Sequence, residues 1–140
     1  MEVGSGTGRI SARLCEEGAN VTLLDTSQTA LKISERIFRE RGLKATFIEG
    51  SALNIPLEDE TYDAVWSSGL LEHFKKEDQR QIVNEMKRVV RVGGTLVNLV
   101  PNRHAPIYFY CKNIAERIDR WPFGYEEPLT EEELLDLIHN

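Results

Sequence analysis

The stretch that most constrains this chain is its opening octapeptide, Met1-Glu2-Val3-Gly4-Ser5-Gly6-Thr7-Gly8. An acidic residue and a valine run into glycines at every second position, and Arg9-Ile10-Ser11-Ala12-Arg13-Leu14 follows directly. The pattern predicts the end of a strand, a tight glycine turn and the first turn of a helix. Glycine admits positive φ and lets a ligand approach without meeting a Cβ. A helix start turns free N–H groups and a partial positive charge into the same space. A nucleotide-like ligand suits such a turn, and an ordinary glycine-rich turn is the plain alternative. The dinucleotide spacing G-x-G-x-x-G is not met, because its third glycine would be Arg9.

Downstream, short apolar runs alternate with helical patterns. Val21-Thr22-Leu23-Leu24 predicts a buried parallel strand ending at Asp25. Thr26 or Ser27 then caps a helix whose inward face is predicted as Ala30, Ile33, Ile37 and Phe38, closed by Gly42. In the first helix the predicted inward face is Ile10, Leu14 and Cys15. Further strands are expected at 45–49, 62–67 and 95–100, with a helix carrying Ile82, Val83, Met86, Val89 and Val90 between the last two. Alternating strands and helices imply an α/β fold with a parallel sheet and right-handed crossovers. After Pro101 comes a helix starting at Pro106, with Ile107, Cys111, Ile114 and Ile118 expected inward. An aromatic loop at 121–125 follows, and then a last helix opened by a Thr130–Glu133 capping box and carrying Leu134, Leu135 and Ile138. A chain of 140 residues fits one domain, placed at 1–140.

Asp25, at the carboxyl end of the second strand, stands where open α/β sheets place the acid that binds ribose hydroxyls. A carboxylate accepts two hydrogen bonds at once, which matches a vicinal diol. A helix-capping role is the alternative, and nicotinamide cofactors would use the same acid. The net charge of −6 and the lack of a basic stripe argue against nucleic acid as a partner. No apolar run is long enough to span a membrane, and a cytoplasmic location follows as the expectation. Cys15 and Cys111 lack metal-ligand spacing, so no metal is expected, and both are expected to be buried free thiols.

Glu2-Val3-Gly4-Ser5-Gly6-Thr7-Gly8 resembles motif I, (D/E)-x-G-x-G-x-G, of the class I S-adenosylmethionine-dependent methyltransferases. Glu49 to Leu57 resembles that family's G-D-A-x-x-L-P-F segment, with Ser51 in place of the Asp that contacts the adenine amino group. A hydroxyl there accepts one hydrogen bond without charge assistance, leaving backbone groups around Ala52 to do much of the recognition. Tyr62 to His73 resembles F-D-x-V-x-s-x-x-x-x-E-H, and Arg88 to Leu96 resembles L-R-V-L-K-P-G-G-x-L. The likeness runs from Glu2 to about Asn102 and is strongest to the type 11, small-molecule group.

The resemblance implies a Rossmann-like, doubly wound sheet of order 3-2-1-4-5, lacking the family's last two strands. It implies S-adenosylmethionine bound at the carboxyl edge by Glu2, Gly4, Gly6, Gly8, Asp25, Thr26, Ser51, Ala52, Ser67 and Ser68. His73 is the candidate base, with a purely structural Glu72–His73 pair as the alternative, and a small molecule is the methyl acceptor. Residues 103–140 lie where such enzymes build a substrate lid. A short first strand and an unpaired apolar fifth strand lead to the expectation of self-association through the strand-five edge. Two rival readings stand: a non-catalytic cofactor-binding fragment of a larger protein, and a nicotinamide-dependent dehydrogenase. The second draws on Tyr108-Phe109-Tyr110-Cys111-Lys112, which matches Y-x-x-x-K.

Overall fold

The computed structural model describes residues 1–121 and 124–139. Its strands are β1 (Glu2–Val3), β2 (Thr22–Asp25), β3 (Thr46–Glu49), β4 (Tyr62–Ser68) and β5 (Val90–Leu99). They form one parallel sheet in the order β3-β2-β1-β4-β5, as the family resemblance implies. Short β1 sits at the centre, with Glu2 opposite both Leu23 and Trp66. The β2–β3 register sets Asp25 beside Glu49. Both therefore lie at the carboxyl edge, where β1 runs into the glycine turn.

Helices α1 (Arg9–Glu16), α2 (Gln28–Glu40), α3 (Lys76–Val89), α4 (Pro106–Arg117) and α5 (Glu131–His139) connect and flank the strands. Consecutive residues of β2 enter separate cores. Leu24 packs with Val3, Val65, Leu71, Ile82, Val83, Met86 and Val89. Leu23 packs with Ala12, Leu31 and Phe38, and Phe38 meets Phe47 edge-on with centroids 5.4 Å apart. A strand buried on both faces needs the continuous apolar run seen in the sequence.

The predicted α3 stripe is buried through Val89, whereas Val90 has already passed into β5. The capping box forms as expected. Thr130 N–H donates to Glu133 Oε2 at 3.0 Å, and Glu133 N–H donates to Thr130 Oγ1 at 3.1 Å. Leu137, which the sequence reading passed over, is the fully buried residue of α5. With Leu129, it joins the core around α3. Leu129 and helix α5 are thus packed into the domain.

Three helix faces differ from expectation. In α1, Ile10 and Leu14 are exposed, and Ser11 and Ala12 face inward. The cause is close approach: a Cβ on Gly8, the α1 N-cap, would lie 2.2 Å from Leu23 Cδ2, so small residues must follow it against the sheet. In α2, Leu31, Ser34 and Phe38 are buried while Ile33 is exposed. In α4 and its C-cap, Ile107, Cys111, Ile114 and Ile118 are exposed, because Lys112 turns inward toward an acid. Cys15 is half-buried and Cys111 exposed, so neither is the buried thiol expected. Among the described residues no helix is long and apolar enough to cross a membrane.

Candidate functional site

The turn after β1 is a set of consecutive bonds. Gly4 and Ser5 N–H donate to the Leu24 carbonyl at 2.8 and 3.0 Å, and Gly8 N–H donates to the Ser5 carbonyl at 2.9 Å. Gly6 N–H donates to Asp25 Oδ2 at 2.7 Å, while Asp25 Oδ1 accepts from Ser27 N–H at 2.8 Å. Ser34 Oγ donates to the Gly6 carbonyl at 3.0 Å. All three glycines have positive φ, at 67°, 53° and 61°. A Cβ on Gly4 would strike Leu70 and one on Gly8 would strike Leu23, but one on Gly6 would meet nothing within 4 Å. Gly6 therefore presents an open backbone face beside a half-buried carboxylate with one N–H on each oxygen. Carboxylate oxygens have further lone pairs, and the pair suits a ligand diol lying over the turn. Ser27 Oγ caps α2, accepting from Ala30 N–H at 3.2 Å, so Asp25 is not the cap.

The other expected contacts divide. Glu2 is 5% exposed and lies under the turn, where its carboxylate accepts from Ser11 Oγ at 2.5 Å. Burial pushes this carboxyl up to about 7, against the opposing Ser11 hydrogen bond. Thr26 is exposed beside Asp25. Ser51 Oγ accepts from Leu53 N–H at 3.2 Å, closing a small turn over buried Ala52. The Ser67 side chain is not at the cleft. It is fully buried and donates to Asn98 Oδ1 at 2.8 Å, a polar rung between β4 and β5. Ser68, one residue on, is half-buried at the end of β4. A cavity of about 660 Å³ lies at the opposite, amino edge, lined by Met1, Leu14, Val21, Ala45, Tyr62 and Trp66 among others.

Beyond β4, Gly69 and Leu70 lead into a 3₁₀ turn, Leu71–His73. Leu70 packs over Gly4, so this turn starts next to the glycines. The His73 ring is half-buried, and its Nδ1 lies 2.9 Å from the Tyr125 carbonyl. A carbonyl only accepts, so Nδ1 carries a proton, and in the neutral ring Nε2 then keeps the lone pair. Glu72 is buried, and its Oε2 meets no donor among the described residues. Burial holds its carboxyl above the usual range, with His73 opposing and Glu126 reinforcing the rise.

Sequence reasoning missed Glu126, Tyr108 and Lys112 as members of this site. One polar atom from each of Glu72, His73 and Glu126 lies within 4.8 Å of the others. Tyr108 donates to Glu126 Oε2 at 2.6 Å, and Lys112 Nζ lies 3.2 Å from the same oxygen. Burial and the Glu126 bond push the Tyr108 phenol well above its ordinary value. A dehydrogenase tyrosine needs its proton loosened, so the Y-x-x-x-K match carries no such chemistry here.

A parallel sheet of this order, with a glycine turn and an acid joined at the carboxyl edge of β1 and β2, defines a nucleoside-binding α/β domain. The Methyltransferase domain family matches residues 1–94, and the chain belongs to that family. The ubiquinone biosynthesis O-methyltransferase of Vibrio cholerae is 28% identical over 119 residues, covering 84% of this chain and 48% of that protein. The demethylmenaquinone methyltransferase of Thermus thermophilus is 34% identical over 101 residues, covering 71% and 45%. A solved structure described as converting a disulfide bond into a thioacetal group during echinomycin biosynthesis superposes with a TM-score of 0.83 at 28% identity. It covers 98% of this chain and 58% of its own. The chain thus spans about half the length of the curated relatives it matches.

Proposed function

We propose that this chain is the cofactor-binding part of a methyltransferase that uses S-adenosylmethionine to methylate O, N or C of a small molecule. The observation that carries the proposal is the 2.7 Å bond between Gly6 and Asp25, which ties an open glycine face to a carboxylate suited to a ribose diol. Gly4, Gly6 and Gly8 shape the floor. Asp25, with Thr26 beside it, takes the ribose, Ser51 and Ala52 border the adenine, and Ser68 borders the methionine end. Glu2 acts from beneath, through Ser11 and the start of α1. The cofactor supplies a methyl group made electrophilic by its sulfonium. The protein's contribution is to hold the acceptor in line and keep water out. His73, with its lone pair on Nε2, accepts the acceptor's proton. Thermal shift tests the cofactor assignment: S-adenosylhomocysteine should raise the melting temperature more than NAD or NADP at equal concentration. Equal shifts, or a larger one with NAD, would overturn it.

Two further readings belong with this one. Two free thiols suit the reducing cytoplasm, where we place the protein. β5 is an edge strand with exposed Val97 and Leu99, so the isolated chain should self-associate there, which light scattering would register. A monodisperse monomer would refute that contact.

A further inference from the structure

Segment 125–127 touches the 3₁₀ turn with each of its residues. The Tyr125 carbonyl accepts from His73 Nδ1, Glu127 N–H donates to the Glu72 carbonyl at 2.6 Å, and the Glu126 carboxylate comes beside Glu72 and His73. Glu126 has a side chain only 5% exposed, and burying a carboxylate is unfavourable unless it is paired and hydrogen-bonded. Its partners come from a single face of α4: Tyr108 and Lys112 stand four residues apart, which stacks them one turn above the other. Lys112 Nζ also donates to the Glu126 carbonyl at 3.4 Å, so side chain and backbone are gripped together. None of Tyr108, Lys112 and Glu126 falls within residues 1–94, the part matched to the family.

The geometry points to Glu126 as a positioning residue for His73. Tyr108 and Lys112 fix Glu126, the fixed residue sets its neighbour Tyr125, and the Tyr125 carbonyl holds the imidazole with its proton on Nδ1. The free imidazole has no such partner, and its tautomer is set by whichever hydrogen bond is offered. The inference rests on the methyltransferase reading for its effect on turnover, but not for its effect on the ring itself.

Nitrogen-15 NMR of the His73 ring in the full chain tests the inference, with S-adenosylhomocysteine as the binding probe. Wild type should show the Nδ1–H tautomer. Glu126→Ala should lose that single tautomer, and Glu126→Gln, which still accepts from Tyr108, should keep most of it. S-adenosylhomocysteine affinity should be unchanged in both. Once an acceptor is identified, Glu126→Ala should lower kcat by about 10- to 100-fold with the cofactor KM intact, the scale of a small misplacement near the chemistry. If Glu126→Ala does not fold, Tyr108→Phe removes one grip without emptying the space, and should shift the tautomer partway. A folded Glu126→Ala with the wild-type tautomer would overturn the inference, as would loss of S-adenosylhomocysteine binding in folded Glu126→Gln. A preference for NAD would sink the methyltransferase reading while leaving the ring measurement interpretable.

Discussion

Glu2→Gln isolates the energetic role of the buried acid beneath the glycine turn. In the native protein burial raises the Glu2 carboxyl to about 7 from an ordinary 4.5. That displacement corresponds to about 3 kcal/mol of ionisation cost, and about 2–3 kcal/mol is expected once residual water access is allowed for. Below pH 4.5 the acid is protonated in both folded and unfolded chains, and it adds no pH dependence. Between about 4.5 and 7 the folded state binds the extra proton, so stability falls as pH rises; above 7 the penalty is constant. Glutamine keeps an oxygen that accepts from Ser11 Oγ but cannot ionise. Glu2→Gln should therefore match wild type at pH 4 and exceed it by about 2–3 kcal/mol at pH 8. Urea melts at a series of pH values read this out, and the difference between the two proteins removes the titrating groups that do not interact with Glu2. Parallel stability curves from pH 4 to 8 would show that burial does not govern this carboxyl.

Gly8→Ala combines φ strain with a 2.2 Å clash against Leu23, and should cost about 2–5 kcal/mol. Gly6→Ala meets only the strain, about 1–2 kcal/mol, yet should weaken S-adenosylhomocysteine binding; equal melting losses would refute the distinction. Asp25→Ala should weaken that ligand by about 30- to 1000-fold and also lower the melting temperature, because Gly6 N–H loses its partner. A calorimetric loss of only a few-fold in folded protein would confine Asp25 to structure. Ser51→Asp keeps an acceptor for Leu53 N–H and should leave binding unchanged or tighter, whereas a clear weakening would move adenine away from this loop.

What the sequence made legible was whatever depends on local pattern. The parallel sheet followed from alternating elements and its strand order from the family resemblance, the α3 stripe from spacing, and the Thr130–Glu133 box from two residues. Inward faces failed where packing distance, not apolar character, selects the residue. Gly8 draws α1 against Leu23, so Ser11 and Ala12 go inside while Ile10 and Leu14 remain outside. In α4 both faces carry large side chains, and only the partner acid decides which is inner. Its place beside His73 could not be foreseen: the neighbouring contact joins His73 to Tyr125 across 52 residues, with no pattern linking them.

Two serines that periodicity discounted, Ser11 and Ser34, join Asp25 in holding the turn itself. Ser34 reaches from α2 to the Gly6 carbonyl, Asp25 reaches from β2 to the Gly6 N–H, and Ser11 reaches from α1 to Glu2. Gly6 is thus tied on both its polar groups by side chains from two different elements, while its open face has no side chain beneath a ligand. A turn ordered in this way before the ligand arrives avoids the entropy loss that a mobile glycine loop would incur on binding. Ser34, fully buried and aimed at a backbone carbonyl, therefore supports the proposed binding turn as much as the glycines do.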